Sequence, residues 1–408
     1  MNAPKTRRPI AAAALFAATA AAIAYYPILS SSTPAEPPLP NQGQAVLLPN
    51  PNRQPAVEAV FVLDTTGSMG GLIQAAKDKI WSIASTLAAA QPAPIVRMGL
   101  VAYRDRGDDY VTRVIDLSPD LDSLHGQILQ LQAQGGGDGP ESVNQALSDA
   151  VRRIGWSRDP TTYRAVFLVG DAPPHLDYPN DVPYTETLEE ARRLGIRVNA
   201  IQCGEQPDTA AAWQRIAQSG NGGYFRVDRD GGAVAIATPY DAPLAKLSEA
   251  LDATRLYYGT ADERTGRESR DRMAKAAQAV VAPAVIARKA EFAASDSAKA
   301  ARTDDRDLLE AATSGRVDPA TLPAAELPAP IATLEPERRA AAVKAAAAER
   351  ETLRQRIQSL GARREAYLQS QVEAAGGARD SLDHRIWSAV RAQGAEAGLN
   401  YRDSGPRY

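Results

Sequence analysis

The chain has 408 residues and a formal net charge of −3, with 44% hydrophobic but only 6% aromatic residues. That length implies more than one domain, and the near-neutral balance excludes a chain-wide electrostatic footprint for nucleic acid. The single cysteine, Cys203, excludes an intrachain disulfide framework or a thiolate metal site, and three histidines far apart in sequence (His125, His175, His384) do not make a zinc site.

At the N-terminus Lys5, Arg7 and Arg8 precede an alanine-rich apolar stretch from Ile10 to Tyr26, closed by Pro27. A basic start, a short apolar core and the small-residue pattern Ala22-Ile23-Ala24 give residues 1–26 the form of an export signal. At about 17 residues the stretch also reaches the lower limit for crossing a bilayer, so an uncleaved membrane anchor is the second reading. Either one sends the chain to the periplasm or cell envelope. Arg7-Arg8 resembles a twin-arginine signal, but Pro9 breaks the flanking pattern, and no cysteine follows the apolar core to start a lipoprotein. Residues 27–55, rich in Ser, Pro, Asn and Gln, read as a linker.

From residue 56 the texture becomes α/β. Apolar runs rich in Val and Ile predict strands over 59–63, 97–103, 110–117, 164–169, 197–202 and 223–227. Amphipathic patterns predict helices over 72–89, 121–134, 142–153, 185–194, 210–218 and 243–257. Such alternation over 56–257 predicts a doubly wound, mostly parallel sheet covered on both faces. Tyr103 and Tyr110 are close enough for a hairpin through Gly107-Asp108, which makes the strand over 110–117 an antiparallel edge. Cys203, at a strand end, reads as core, and His175 as a loop residue.

Beyond residue 258 strand signals vanish and Ala, Glu and Arg predict an all-α region. Residues 258–336 form an Ala-rich helical segment with prolines over 313–336, and residues 337–408 a long helix followed by a terminal one. Over 337–375, Val343, Ala346, Leu353, Ile357, Leu360 and Tyr367 recur at three-and-four spacing, interrupted by Arg350 and Arg364. That stripe suits a coiled coil, a helical hairpin or packing within the chain, with self-association through these helices as one consequence. Gly376-Gly377 ends the long helix, and a last helix over 382–397 has Ile386, Trp387 and Val390 on its apolar side.

The chemistry sits at predicted strand ends. Asp64-Thr65-Thr66-Gly67-Ser68-Met69 directly follows Ala59-Val60-Phe61-Val62-Leu63. Asp, Thr and Ser offer only oxygen, which suits a hard cation; a polar turn that caps the next helix is the alternative. Asp171 directly follows Ala165-Val166-Phe167-Leu168-Val169, Asp105 follows the strand ending at Tyr103, and the loop Gly135-Gly136-Gly137-Asp138-Gly139-Pro140-Glu141 opens a helix. Parallel strands of a doubly wound sheet present their C-terminal ends on one edge, so these groups can converge. Asp64, Glu141 and Asp171 would then raise one another's pKa, a conflict that a divalent cation removes.

With these residues, positions from about 56 to 240 resemble a von Willebrand factor type A domain. Asp64-x-Thr66-x-Ser68 matches its metal-ion-dependent adhesion site, and the glycine loop and Asp171 follow in order and spacing. The family's third element is commonly a threonine; here Glu141 takes that position, and Asp138-Gly139-Pro140-Glu141 resembles the Asp-x-Pro-Glu loop of integrin β-subunit domains. The resemblance implies Mg²⁺ (or Mn²⁺) held by Asp64, Thr66, Ser68, Glu141 and Asp171. It also implies an adjacent Ca²⁺ at Asp105, Asp138 and the Pro140 carbonyl, one ligand short because Gly136 replaces the integrin asparagine. Gly70-Gly71 removes a third integrin cation site. The implied protein is not an enzyme: it binds by letting Asp or Glu of a protein partner complete the cation's shell. Arg104 and Arg106, near that rim in the sequence, read either as charges that steer such a partner or as ordinary solvated ones.

Other readings stay open. The Asp64 loop also resembles the phosphorylated-aspartate loop of P-type pumps and related phosphatases, with Asp64 as nucleophile, although no lysine stands at the end of an intervening strand. Export argues against a chelatase subunit. In a structural envelope protein, the metal would only stabilise the fold and the helical tail would make the contacts.

Overall fold

The computed structural model describes residues 54–137, 139–227, 236–279, 281–304, 306–374, 382–401 and 405–406. The signal or anchor, nearly all of the linker, Asp138 and Gly376-Gly377 lie outside them. The described residues all belong to one compact unit. Among the described residues, no helix is long and apolar enough to cross a membrane.

The first strand, β1 (Ala56–Asp64), is buried along nearly its whole length. Its side chains alternate between two cores: Val57, Ala59, Phe61 and Leu63 point to one face of the sheet, Val60 and Val62 to the other. Burial on both faces is why the run carries no polar alternation. Its neighbours are β2 (Ile95–Tyr103) and β4 (Tyr163–Gly170), both parallel to it. With β3 (Thr112–Ser118), β5 (Ile196–Cys203) and β6 (Tyr224–Val227), the six strands described form one sheet in the order β3-β2-β1-β4-β5-β6. β3 pairs antiparallel with β2 at the edge and all other pairings are parallel, as the hairpin spacing predicts. The chain leaves β1 toward β2 and later returns to its other side as β4, so the switch point lies between β1 and β4.

One face is covered by α3 (Val143–Arg152), α4 (Tyr184–Arg193) and α5 (Pro207–Ser219), which bring Val143, Leu147, Leu188 and Trp213 onto it. The other is covered by α1 (Gly70–Ala88) and α2 (Leu121–Leu129), with Ile80, Trp81, Leu87 and Leu124. The predicted helix over 121–134 stops at Leu129 because the chain beyond it is drawn back to the strand ends, where Gln134 donates its N–H to the Thr65 carbonyl at 3.1 Å. The helix predicted over 243–257 is shorter too: α6 runs Asp241–Asp252.

The helices after residue 260 are α7 (Ala261–Gln278), α8 (Pro283–Ala293), α9 (Asp296–Asp304), α10 (Leu308–Thr313), α11 (Ala329–Ala332), α12 (Pro336–Ala374) and α13 (Leu382–Glu396). They build on the sheet domain. Val285 and Phe292 of α8, Ala298 of α9, and Ile386 and Val390 of α13 join the same apolar cluster as β1, α1 and α2. Shared apolar surface of this kind explains how an alanine-rich region with few large side chains holds its place.

The long helix corrects one expectation. Arg350 and Arg364 do not interrupt the packing stripe of α12; they are part of it. Its buried positions are Arg339, Val343, Arg350, Arg354, Ile357, Gly361, Arg364, Leu368 and Val372. Arg350 reaches Asp307 and Glu310, Arg354 reaches Glu310, and Arg364 reaches Asp241 and Glu291. The stripe docks inside the chain, against α6, α8 and α10, rather than in a coiled coil.

Candidate metal centre

Asp64 is the last residue of β1 and is fully buried. In the register its flanking strands end on Tyr103 and Gly170. No side chain fits at 170, where a Cβ would lie 2.5 Å from the Tyr103 hydroxyl and 3.0 Å from the Asp64 Cβ. Asp64 Oδ1 accepts the backbone N–H of Thr66 at 2.9 Å and its hydroxyl at 2.7 Å. The Thr66 and Ser68 hydroxyls are 3.3 Å apart, and Ser68 donates to Asp171 Oδ1 at 3.0 Å. A continuous path Asp64–Thr66–Ser68–Asp171 therefore spans the switch point.

Each member is pinned from behind. Thr65 turns the other way: its N–H and hydroxyl both reach the Tyr103 carbonyl, at 2.9 and 2.8 Å, and its hydroxyl contacts Tyr110. The Asp171 and Ala172 carbonyls accept from Thr209 and from the Trp213 indole of α5. The glycine loop docks alongside, with Gly67 N–H donating to the Gly135 carbonyl at 3.0 Å. Gly135 and Gly136 both have positive φ, and a Cβ at 136 would sit 3.1 Å from Glu141 Oε1 and 3.2 Å from Thr66 Cβ. Two glycines are required because the loop must turn left-handed while Glu141 and Thr66 close over it.

Glu141 thus joins the site although it comes from a different loop. Its backbone is fixed by the segment after Asp171: Glu141 N–H donates to the Pro173 carbonyl, and its carbonyl accepts from the N–H of His175. Among the described residues, no three His, Cys, Asp or Glu side chains gather into a group that could hold a metal by themselves. The donor set is a mixed one, with the Thr66 and Ser68 hydroxyls standing between the carboxylates.

Electrostatics show what kind of ligand the arrangement suits. Burial, with Asp171 nearby, pushes the Asp64 carboxyl up to about 7. Burial and the charges of Asp64, Asp105 and Asp108 push Glu141 up to about 9. Asp64 Oδ2 and Glu141 Oε2 are buried acceptors with no donor. A buried carboxylate oxygen without a partner is costly, and the surrounding donors are all oxygen. These residues fit a hard divalent cation.

The outlying sequence expectations fare differently. Arg104 is not at the rim: it is 5% exposed, donates to the Gln132 carbonyl at 3.0 Å and stacks over the Tyr110 ring. Its neighbour Tyr103 ends the strand inside the core, and the turn that follows carries Arg104 in with it. Arg106 is exposed but already pairs with Asp181 and lies 4.1 Å above the Tyr178 ring. Asp105 is held by protein groups, accepting from Ser142 at 2.8 Å and from the Tyr178 hydroxyl at 2.7 Å, with His175 Nε2 at 3.5 Å. Asp138 lies outside the described residues, so the adjacent calcium site keeps only Asp105 and Pro140 within view.

His175 is a buried member of this network rather than a plain loop residue, and Cys203 is core as expected. Sequence reasoning passed over Asp108, whose Oδ2 accepts the Gly136 N–H at 2.9 Å and the Asp105 N–H at 3.2 Å. Gly107-Asp108 signals a turn, but nothing local tells that its carboxylate holds a loop 28 residues away.

The family model of the von Willebrand factor A domain matches residues 58–228. A protein of Acanthamoeba polyphaga mimivirus that carries the description ariadne-like RING finger protein is 27% identical over 124 residues, which is 30% of this chain but 12% of that protein. Among solved structures, the SpRpn10 VWA domain is 14% identical with a TM-score of 0.34, covering 43% of this chain and 89% of that one. Proximal thread matrix protein 1 from the mussel byssus, with a zinc-occupied MIDAS motif, is 16% identical with a TM-score of 0.34, covering 43% of this chain and 42% of its own. The C-terminal helical region is not recognised. Residues 58–228 of this chain match the von Willebrand factor A domain, and a helical region follows them.

Proposed function

We propose that the protein is a cation-dependent binding protein and not an enzyme. Asp64, Thr66, Ser68, Asp171 and Glu141 hold a divalent cation, Mg²⁺ or Mn²⁺, and a carboxylate from a protein partner completes its shell. The cation supplies a positive centre at the strand ends; the chain's own residues supply its position, fixed by the Thr65–Tyr103 and Glu141–His175 backbone bonds. The observation that carries the reading is the pair of buried oxygens without donors, Asp64 Oδ2 and Glu141 Oε2. They lie beside two hydroxyls at the switch point, where open α/β sheets bind ligands.

The N-terminal signal-like pattern supports an exported protein that meets its partner in the periplasm or cell envelope. The helical region docks against its own sheet domain, which favours a role in supporting that domain over one in self-association.

The test is calorimetric titration of the full chain with Mg²⁺, Mn²⁺, Ca²⁺ and Zn²⁺, wild type against Asp64→Ala. Capture of partners from envelope extracts with Mg²⁺ or EDTA follows. One-site binding lost in the variant, with a partner released by EDTA, is expected. Partner capture that is equal with Mg²⁺, with EDTA and with the variant would reject the mechanism.

A further inference from the structure

The loop after Asp171 carries Leu176, at 73% the most exposed large hydrophobic side chain among the described residues. Single exposed leucines are ordinary on protein surfaces, but two features set this one apart.

The first is rigidity. His175, just before it, is buried; its N–H donates to the Glu141 carbonyl at 3.0 Å and its carbonyl accepts from Asn144 at 2.8 Å. Its ring contacts Asp177 at 2.8 Å and stacks on Tyr178 with centroids 4.1 Å apart. Tyr178 in turn donates to Asp105 and lies under Arg106. The residues on both sides of Leu176 are anchored, so the backbone that presents it is fixed, and its side chain stands in water at a hydrophobic cost.

The second is position. Glu141 pairs with Pro174 in a parallel bridge, which places Leu176 two residues beyond the backbone partner of a cation-site carboxylate. Arg106 of this rim pairs with Asp181, and Asp177 accepts a contact from the His175 ring. The loop thus offers an incoming chain one large apolar side chain, Leu176, beside the exposed carboxylate of Asp177.

We infer that Leu176 is a specificity-determining residue of the cation site. A partner segment whose Asp or Glu completes the cation's shell seats an aliphatic or aromatic side chain, close in sequence to that acid, on Leu176. This rests on the cation-dependent binding proposed above and adds what that reading leaves open, because the cation selects a carboxylate but not its neighbours.

The test uses the full chain and short synthetic peptides with a central Glu, flanked either by Leu and Phe or by Gly and Ser, with Mg²⁺ or EDTA. Wild type should bind the apolar-flanked set more tightly, and only with Mg²⁺. Leu176→Ser should weaken that set roughly tenfold, the loss expected for one leucine contact, and leave the Gly/Ser set unchanged. Leu194→Ser serves as control, since this exposed leucine lies just before β5 at the opposite edge of the sheet; it should change nothing. Mg²⁺-dependent, Glu-dependent binding without an apolar preference, or with one that Leu176→Ser leaves intact, overturns the inference and leaves the proposed function standing. Binding that is absent, or indifferent to EDTA and to Glu→Gln in the peptide, overturns the function and the inference together.

Discussion

Arg350 grips Asp307 with both of its terminal nitrogens, at 2.7 and 2.9 Å, and neither side chain is more than 2% exposed. Asp307 Oδ1, the oxygen at 2.7 Å, also accepts the N–H groups of Leu309 and Glu310, so the pair caps α10 while it clamps α12. Arg350 also binds Glu310 and the Thr254 carbonyl. One arginine thus joins the long helix to the end of the sheet domain and to the segment between them.

Replacing Arg350 with Ala should cost the full chain about 3–5 kcal/mol, the usual loss when one partner of a buried ion pair is removed. Asp307 and Glu310 would remain as buried charges. Urea unfolding measures the loss. Cation affinity should stay unchanged, because none of the groups bound by Arg350 belongs to the strand-end loops; a parallel fall in affinity would show coupling between helix and site.

Asp64→Asn should lower Mg²⁺ affinity roughly 100-fold or more, at least the upper range seen for groups that merely orient metal ligands. The amide keeps an acceptor for Thr66 but removes a buried charge. In EDTA the variant should therefore be no less stable than wild type, and in Mg²⁺ distinctly less stable. Thermal unfolding under both conditions separates the two effects; a variant equally destabilised in EDTA would point to a packing role for Asp64.

The pH dependence follows from the raised carboxyls. Asp64 moves from 3.8 to about 7 and Glu141 from 4.5 to about 9. Each binds its proton more tightly folded than unfolded, so its contribution to stability is complete below the unfolded pKa and is lost as pH rises through the folded value. For Asp64 this loss is on the order of 4 kcal/mol. In EDTA, stability should fall between pH 4 and 9. Since a cation binds the deprotonated site, the stabilisation by Mg²⁺ should grow over the same range. Melting curves with and without Mg²⁺ at several pH values check this; a Mg²⁺ increment that does not change with pH would contradict it.

Gly136→Ala should lower cation affinity about tenfold or more. The position has positive φ, which costs an L-residue about 1–2 kcal/mol, and the new methyl would press on Glu141 Oε1 and Thr66 Cβ. Gly137→Ala, with nothing within 4 Å of its Cβ, should be neutral. Calorimetry on both variants tests the contrast, and equal effects would show that the loop does not shape the site.

Much of the fold was legible because its signals are local. The apolar run 59–63 needs no distant information to be a buried strand, and the three-and-four spacing over 337–375 is enough for a helix. The Asp64-Thr66-Ser68 cluster was legible for the same reason, since a polar tip on a buried strand stands out from its neighbours. Arg104, Asp105 and Asp108 show where such reading ends. All three are polar residues after a strand, and their sequence does not say which one turns inward, which one accepts hydroxyls from Ser142 and Tyr178, and which one holds the glycine loop.

The sequence alone determined the order of strands and helices, the oxygen-rich strand tip at Asp64 and the long helix at the end. Tertiary structure decided which charges are buried and what they do. Arg350 and Arg364 look like breaks in an apolar stripe until Asp307 and Asp241, 43 and 123 residues away, are brought against them. Glu141 looks like the start of a helix until His175 and Gly136 place it beside Thr66. Hydrophobic periodicity is written into neighbouring residues. A buried charge is acceptable only when its partner arrives from elsewhere in the chain, and that meeting exists only in the folded molecule.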